Sequence, residues 1–285
     1  MQTFPDCIPC LLRQGLTAMR LCGIEEEQIF SILKQTLRCA ADFDINLSPP
    51  EMAMYIHRII RKESGNNDPY REIKLQVIRE VLLHEKRIRA IIQASENRFR
   101  TAVRFALAGN ALGFAIFEWN PEMFAEQLDA ALYKPLDERV LYRLEEAAKQ
   151  ANTIMVIGDN AGESVFDKLL IEQLPAHRVI YAVRGSPAIN DVTTAEALAS
   201  GLDNVAALVD NGSDAPGTLL EHVSKAFLHD FKIADLIIAK GQGNYESLCD
   251  CNKNIFFLTQ IKCPVIARDL NGAVGDWVVA ENGVK

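Results

Sequence analysis

The stretch TIMVIGDNAGE, residues 153–163, decides the fold of the second half of the chain. Its first six residues form a short continuous apolar run, which is typical of a strand buried on both faces of a parallel sheet. The run ends abruptly at Asp159-Asn160, and a small turn leads to Glu163. Two interpretations of this end compete. The pair either marks a turn between a strand and a helix, or offers oxygen ligands at the edge of a sheet.

Similar short apolar runs recur through the second half of the chain. They lie at 178–183, 204–209, 235–239, 254–259 and 263–267. Most are separated by stretches with a helical pattern, among them 162–174, 193–201 and 217–228. This alternation predicts right-handed crossovers and an α/β fold, a three-layer sandwich with a mainly parallel sheet.

The first 150 residues follow a different pattern, in which apolar residues recur at helical spacing. Ser48-Pro49-Pro50-Glu51 resembles a helix start, with an N-cap, proline at the first helical position and an acid three residues on. Asp68-Pro69 and Asn120-Pro121 are expected to open further helices in the same way. We therefore predict an N-terminal all-helical domain over 1–150, possibly a substrate cap, and an α/β domain that binds metal and phosphate over 151–285.

Composition and charge exclude several classes of protein. With 285 residues, of which 49% are hydrophobic and 24% charged, the chain has the make-up of an ordinary globular protein. Its net charge of −8 argues against a general nucleic-acid binder. No apolar run is long enough to cross a membrane, and the first residues lack the pattern of a secretory signal. We therefore expect a cytoplasmic protein of unknown oligomeric state.

The cysteines and histidines give weaker signals. Seven scattered cysteines suggest reduced thiols rather than a disulfide framework. Cys7 and Cys10 share a face of a predicted helix, where they are either buried thiols or part of a metal or redox site. A zinc site needs about four ligands, and Cys249 and Cys251 are the candidates for the second pair. The five histidines show no ligand spacing.

Polar side chains gather where the predicted strands end, and ligands bind at that edge of a parallel sheet. The loops are VRGSPAINDVT at 183–193, DNGSDAPGT at 210–218 and AKGQGNYES at 239–247. Asp159, Asn160 and Asp191 offer oxygen ligands suited to Mg²⁺ or Mn²⁺. Thr193 and Glu196 can form a capping box, which leaves Asp191 free for this role.

Cationic and amide groups at the same edge suit a phosphate. They are Lys240, Arg184 and the amides of Gly241–Asn244. Oxygen ligands beside a lysine and a glycine turn are what metal-assisted phosphoryl chemistry requires.

Four of these segments resemble the successive signatures of the damage-control phosphatases. They are GDNAGE, RGSPAINDVT, NGSDAPGT and KGQGNYESL. CIPC at 7–10 and DPYREIK at 68–74 resemble the prokaryotic branch of that family. The resemblance implies hydrolysis of phosphate monoesters of small metabolites, sugar phosphates or damaged phosphometabolites, with Mn²⁺, Co²⁺, Ni²⁺ or Mg²⁺ as cofactor. It implies that Asp159, Asn160 and Asp191 bind the metal and that Lys240 binds the phosphate.

Several roles stay open at the level of sequence. Lys240 and the amides of Gly241 and Gly243 would stabilise charge on the transferring group, and Asp191 or Glu163 would accept the proton of the attacking water. Asn110, Arg184 and Asn244 are the other predicted substrate contacts. Relatives often have AGNxIDxG where this chain has AGNALGFA at 108–115, with Gly113 in place of the aspartate. The substrate therefore cannot be assigned by analogy.

Two other functions compete with a phosphatase. One is a transferase on the same scaffold, and the other is a non-catalytic protein that binds a metabolite or nucleotide. The chain has no convincing G-x-G-x-x-G element for a nucleotide or methyl-donor site.

Overall fold

The computed structural model describes residues 1–112, 126 and 128–283. Gly113 and the Asn120-Pro121 helix start lie outside these residues. Before the sheet the described helices are α1 (Cys7–Leu21), α2 (Glu26–Ala41), α3 (Pro49–Ser64), α4 (Arg71–Ala94), α5 (Arg98–Leu112) and α6 (Glu138–Gln150). Helix α3 begins as predicted, with Ser48 as N-cap and proline in its first turn.

A six-stranded sheet follows, in the order β3-β2-β1-β4-β5-β6. Its strands are β1 (Thr153–Ile157), β2 (Arg178–Val183), β3 (Ala207–Asp210), β4 (Leu236–Lys240), β5 (Ile255–Gln260) and β6 (Trp277–Glu281). The first five are parallel, and β6 pairs with β5 in the antiparallel direction. The structure thus confirms the α/β fold with a mainly parallel sheet.

Further helices connect the strands. They are α7 (Ser164–Ile171), α8 (Thr194–Ala199), α9 (Lys225–Ile233), α10 (Gln242–Leu248) and α11 (Pro264–Asp269). None of the helices in the described part of the chain is long and apolar enough to cross a membrane.

Two element predictions were wrong. The apolar run 263–267 is not a strand: it falls mostly within helix α11, which starts with Pro264 in its first turn, and so short a run fits either element. The helix expected at 217–228 lies at Lys225–Ile233, because the Ser224 side chain accepts a hydrogen bond from the Phe227 amide and caps it there. The antiparallel strand β6 was missed.

The hydrophobic core does not divide at residue 150. Side chains of α4, α5 and α6 share one core with α7 and one face of the sheet, while α9, α10 and α11 pack on the other face. These helices are therefore outer layers of the sandwich. Helices α1, α2 and α3 enclose a separate core, which includes Met19, Ile32 and Ile56. Residue 150 marks the start of the sheet rather than a boundary between two cores.

A substitution at Phe166 of α7 tests whether this core is shared. It is 1% exposed, and its ring is packed so closely against α5 that a Cβ at Gly109 would lie 2.7 Å from it. We expect Phe166→Ala to lower the free energy of unfolding by about 3–5 kcal/mol, measured by urea denaturation. The matched change Phe30→Ala, at a ring that is 62% exposed, should cost less than about 1 kcal/mol. Equal effects of the two changes would contradict the shared core.

Candidate active site

The polar residues that follow the strands lie together at the point where the strand order of the sheet reverses. The chain runs outward from β1 to β3 and then crosses back to β4 on the other side of β1. In open α/β sheets the crevice at such a reversal binds ligands. Asp159 follows β1, Arg184 follows β2 and Lys240 ends β4. The fold therefore brings these predicted site residues to one crevice.

Asp159 is held in place by amides and by a glycine. Its Oδ2 accepts hydrogen bonds from the side-chain amides of Asn160 at 2.9 Å and Asn110 at 3.1 Å. Gly241 has a φ of +78°, and a Cβ there would lie 1.9 Å from the same oxygen. Glycine is required at this position for both reasons. The Gly241 amide donates to the Leu258 carbonyl at 3.0 Å, so the expectation that this amide is exposed to a ligand was wrong.

A short backbone bridge places Asn160 beside Asp191. The Val192 amide donates to the Asp159 carbonyl at 2.8 Å, and the Ala161 amide donates to the Asn190 carbonyl at 2.9 Å. The three predicted metal ligands are thus joined through the main chain, although they follow different strands. The bridge forms because the polar loop after β2 folds back onto the loop after β1.

Arg184 holds Asp191 from within the protein. Its Nε donates to Asp191 Oδ2 at 2.7 Å, and the guanidinium is 1% exposed. Its other nitrogens donate to Thr218 Oγ1 and Asn244 Oδ1, each at 3.2 Å. The Asn244 amide donates in turn to the carbonyls of Gly158 and Lys240. The structure therefore places Arg184 and Asn244 in a buried network behind Asp191, and their substrate contacts remain a prediction.

The capping box predicted for α8 is present. The backbone amide and hydroxyl of Thr193 donate to Glu196 Oε2, at 2.9 and 2.5 Å. Asp191 takes no part in that cap.

Lys240 lies in a buried ion-pair cluster. Its ammonium contacts Glu163 Oε2 and Asp167 Oδ1, both at 2.7 Å, and all three side chains are fully buried. The Tyr181 hydroxyl donates to the other oxygen of Asp167 at 2.8 Å. Lys240 is not among the residues that line the cavity described below. The position of Lys240 therefore does not support the expected contact with phosphate. It supports a role in holding the Glu163 carboxylate in place.

Asn110 reaches the site from α5. Its amide nitrogen donates to Asp159 Oδ2 and, at 2.8 Å, to Glu163 Oε1. Its oxygen accepts from the Gln260 amide at 2.9 Å. Both ends of the side chain are used within the protein, so Asn110 links the helical layer to the carboxylates. Its predicted contact with substrate stays a prediction.

The carboxyl groups differ in their ionisation. Burial raises the pKa of Asp159 well above its usual range, and the carboxylates of Asp191 and Glu163 raise it further. Burial also raises the pKa of Asp191, although the Arg184 guanidinium opposes this shift. Burial has the same effect on Glu163, but there the Lys240 ammonium outweighs it and holds the pKa below its usual value. Asp159 is the carboxylate whose charge the protein compensates least.

A cavity of about 230 Å³ opens above these acids. Asp159, Asn160 and Asp191 line it, together with Gly243 of α10 and residues of α1 and α3. A Cβ at Gly243 would lie 2.1 Å from the Pro216 carbonyl, so the loop after β3 packs directly on this glycine. Residues of α1 and α3 thus form part of the cavity wall, and the role of the first helices as a substrate cap stays a prediction.

Lys262 also lines this cavity, and the sequence analysis missed it. Its positive charge lowers the pKa of both Asp159 and Glu163, so it lies within electrostatic reach of the acids. It follows β5 directly and therefore stands at the same edge of the sheet as the other strand ends. The signal was present in the sequence, but the run after it was interpreted as another strand.

In the described part of the chain, the cysteines do not gather into a four-ligand metal site. Cys7, Cys10 and Cys263 line the cavity, whereas Cys249 and Cys251 pack against the core on the other face of the sheet. All seven cysteines are free thiols. Burial raises the pKa of Cys7 to about 11, which leaves its thiol protonated and weakly nucleophilic at neutral pH.

The donor set at the acids suits a hard divalent cation. Among the residues that the structure describes, no group of three Asp, Glu, His or Cys side chains could hold a metal alone. Mg²⁺ and similar ions need only one or two carboxylates, because water and substrate phosphates complete the shell. Asp159 and Asp191 supply two carboxylates. The Asn160 carboxamide oxygen already accepts hydrogen bonds from Asn190 Nδ2 and from the Glu163 backbone amide, so its role as a metal ligand stays a prediction.

Known proteins resemble this chain along nearly its whole length. Residues 3–278 match the family described as the damage-control phosphatase ARMT1-like domain. A damage-control phosphatase from Pyrococcus horikoshii is 31% identical over 290 residues, which cover 98% of both chains. Another from Archaeoglobus fulgidus is 31% identical over 288 residues, again with 98% of both covered. An uncharacterized protein from Methanocaldococcus jannaschii is 31% identical over 287 residues, 96% of this chain and 94% of that one.

The fold agrees with these sequence matches. The crystal structure of a DUF89 family protein from Pyrococcus horikoshii superposes with a TM-score of 0.88 and 30% identity, covering 99% of both chains. The sequence motifs, the site at the sheet reversal and these relatives lead to one conclusion: the chain belongs to the damage-control phosphatase family and is a phosphatase.

Proposed function

We propose that the protein hydrolyses phosphate monoesters of small metabolites, sugar phosphates or damaged phosphometabolites, with a divalent metal ion (Mn²⁺, Co²⁺, Ni²⁺ or Mg²⁺) held by Asp159, Asn160 and Asp191. The balance of buried charge supports this proposal. Four buried acidic side chains crowd the sheet edge: Lys240 forms ion pairs with Glu163 and Asp167, Arg184 forms one with Asp191, and Asp159 forms none among the described residues. A divalent cation beside Asp159 and Asp191 would offset the remaining negative charge.

In this proposal the metal ion and the residues around it have different roles in hydrolysis. When bound, the metal ion would polarise the phosphoryl oxygens and acidify a bound water. Lys262, on the cavity wall, would stabilise charge on the transferring phosphoryl group. Glu163 is unsuited as the base, because Asn110 and Lys240 donate to its two oxygens and its pKa is low. Asp191 lines the cavity and is therefore the better placed proton acceptor.

The size of the cavity favours hydrolysis over group transfer. About 230 Å³ lies below the usual range for pockets that hold drug-sized ligands. A transferase would have to hold a donor and an acceptor there together. Release of inorganic phosphate, assayed over a panel of phosphate monoesters with and without Mn²⁺, is the direct test. Release that is unchanged by a chelator would contradict the metal dependence.

The Asp159→Asn variant separates a metal ligand from a structural carboxylate. We expect the chelated variant to melt at or above the wild-type temperature, because the change removes a buried charge repelled by Asp191 and Glu163. Saturating Mn²⁺ should raise the melting temperature of the wild type by roughly 5 °C or more, and that of the variant far less. Asp203→Asn, at an exposed aspartate, should keep the full Mn²⁺ effect. An unchanged Mn²⁺ effect in Asp159→Asn would contradict the metal site.

The Lys262→Ala variant tests the phosphate-facing charge. An ammonium group cannot ligate a metal, so the Mn²⁺ effect on melting should stay close to that of the wild type. We expect kcat to fall by roughly 100-fold, the scale for losing one preorganised charge-stabilising donor. Lys86→Ala, at an exposed lysine, should leave both quantities unchanged. Full turnover in Lys262→Ala would remove this lysine from the mechanism.

The Lys240→Met variant tests the other lysine. Removing its ammonium leaves Glu163 and Asp167 buried without their cation. We therefore expect the free energy of unfolding to fall by about 3–5 kcal/mol, measured by urea denaturation without metal. Lys86→Ala, at an exposed lysine, should lose less than about 1 kcal/mol in the same measurement. If Lys240→Met were as stable as the wild type and only turnover fell, Lys240 would be a phosphate ligand after all.

A further inference from the structure

The turn that carries Asp191 has an unusual backbone. The Asp191 amide donates to the Ala188 carbonyl at 2.9 Å, so Ile189 and Asn190 are the two central residues of the turn. Ile189 has a φ of +49°. Turns with a positive φ at the first central position favour glycine, asparagine or aspartate there, and a β-branched residue is an outlier. Asn271 is the one other non-glycine residue with a positive φ in the described part of the chain, and asparagine tolerates it. The turn therefore holds backbone strain two residues before Asp191.

The surroundings of the Ile189 side chain explain how this strain is tolerated. The side chain packs against the core that α1, α2 and α3 enclose, and it also lines the cavity. A change to a negative φ would redirect its Cα–Cβ bond and take the side chain out of that core. Strained residues persist where the surrounding structure holds them, and they cluster at functional sites. The three helices therefore act on the turn through Ile189.

Arg61 of α3 makes a second contact with the same segment. Its Nη1 donates to the Pro187 carbonyl at 3.1 Å, and its Nη2 pairs with Asp214 of the loop after β3. The Arg61 side chain is half-buried between these partners. Helix α3 thus holds the backbone just before the turn, while the core holds the strained residue within it.

The turn carries two residues of the site. Asn190 Nδ2 donates to Asn160 Oδ1 at 2.6 Å, and Asp191 lines the cavity. The Arg184 Nε holds one oxygen of the Asp191 carboxylate at 2.7 Å. That bond orients the side chain, whereas the turn decides where the Cα of Asp191 lies. Both constraints are needed to fix the direction of the carboxylate.

We propose that Ile189 is a positioning residue for Asp191. By packing into the core of α1, α2 and α3, its side chain holds the turn at a positive φ and so places the Asp191 carboxylate for the metal ion. This inference rests on the proposed function, in which Asp191 binds that ion. The first three helices then contribute to the metal site without supplying a ligand.

Three substitutions of Ile189 separate positioning from packing. Ile189→Ala removes the side chain that the core holds, and alanine disfavours a left-handed backbone enough to raise the Kd for Mn²⁺ by about 10-fold. Ile189→Gly lacks the same side chain but tolerates a positive φ, so its Kd should stay within about 3-fold of the wild-type value. Ile189→Asn should behave like Ile189→Gly, because asparagine also adopts this conformation. Calorimetric titration with Mn²⁺ measures all three.

The order of these effects distinguishes the two roles. If Ile189 served packing alone, glycine would be at least as harmful as alanine, because it removes more of the side chain and adds entropy to the unfolded chain. Leu33→Ala, at a half-buried residue of α2 that packs against the same core, should lower the melting temperature and keep the wild-type Kd. A Kd in Ile189→Gly as weak as in Ile189→Ala, or a wild-type Kd in Ile189→Ala, would overturn the positioning role.

Hydrogen exchange of the Asp191 amide tests the inference without metal. We expect this amide, which is bonded to the Ala188 carbonyl, to exchange about 10-fold faster in metal-free Ile189→Ala than in the wild type. Exchange in Ile189→Gly should be slower than in Ile189→Ala. If the wild type bound no Mn²⁺, the proposed function would fail, and the exchange rates would still decide the role of Ile189. Equal rates in the wild type and Ile189→Ala would overturn it.

Discussion

The burial of four carboxylates at one edge of the sheet is the constraint on which the rest of the structure depends. Charges of one sign can be taken out of water together only where cations and hydrogen-bond donors surround them. The ammonium of Lys240 serves Glu163 and Asp167, and the guanidinium of Arg184 serves Asp191. Among the described residues, Asp159 forms no ion pair, and its hydrogen bonds come from the side-chain amides of Asn110 and Asn160. The protein therefore pairs the supporting acids with cations and leaves Asp159, the proposed metal ligand, without one.

This division explains why the site spans so many elements. Asn110 from α5 donates to Asp159 and Glu163. Lys240 from β4 pairs with Glu163 and with Asp167 of α7. Helices α4, α5 and α6 share a core with the sheet, and hydrogen bonds at both ends of its side chain hold Asn110 between helix and sheet. A buried ion pair contributes little net stability. Its value here is geometric, because it fixes the direction of Glu163, which in turn orients Asn160 through a capping box.

The sequence predicted which residues lie at the edge of the sheet, because the strands fix their positions. It did not predict which way their side chains point. Asp159, Asn160 and Asp191 follow neighbouring parallel strands, so the edge rule was enough to bring them together. Lys240 ends a strand at the same edge. A shift of one residue along the strand decides whether its side chain faces the cavity or the core. Its partner Asp167 lies on a helix behind the sheet. Lys262 escaped notice because the run 263–267 fits a strand as well as a helix, and β6 was too short a signal to predict.

The placement of α1 and α3 separates the choice of substrate from the buried ion pairs. These helices form their own core with α2 and are tied to the loop after β3 by Arg58 and Arg61, which both pair with Asp214. They reach the cavity with Gln14, Pro50 and Ala53 but contribute no carboxylate to the buried cluster. A change on their inner face can therefore alter which ester fits while Asp159 and Asp191 keep their partners. Because these helices contribute no carboxylate to the buried cluster, substrate preference can change while the buried ion pairs stay intact.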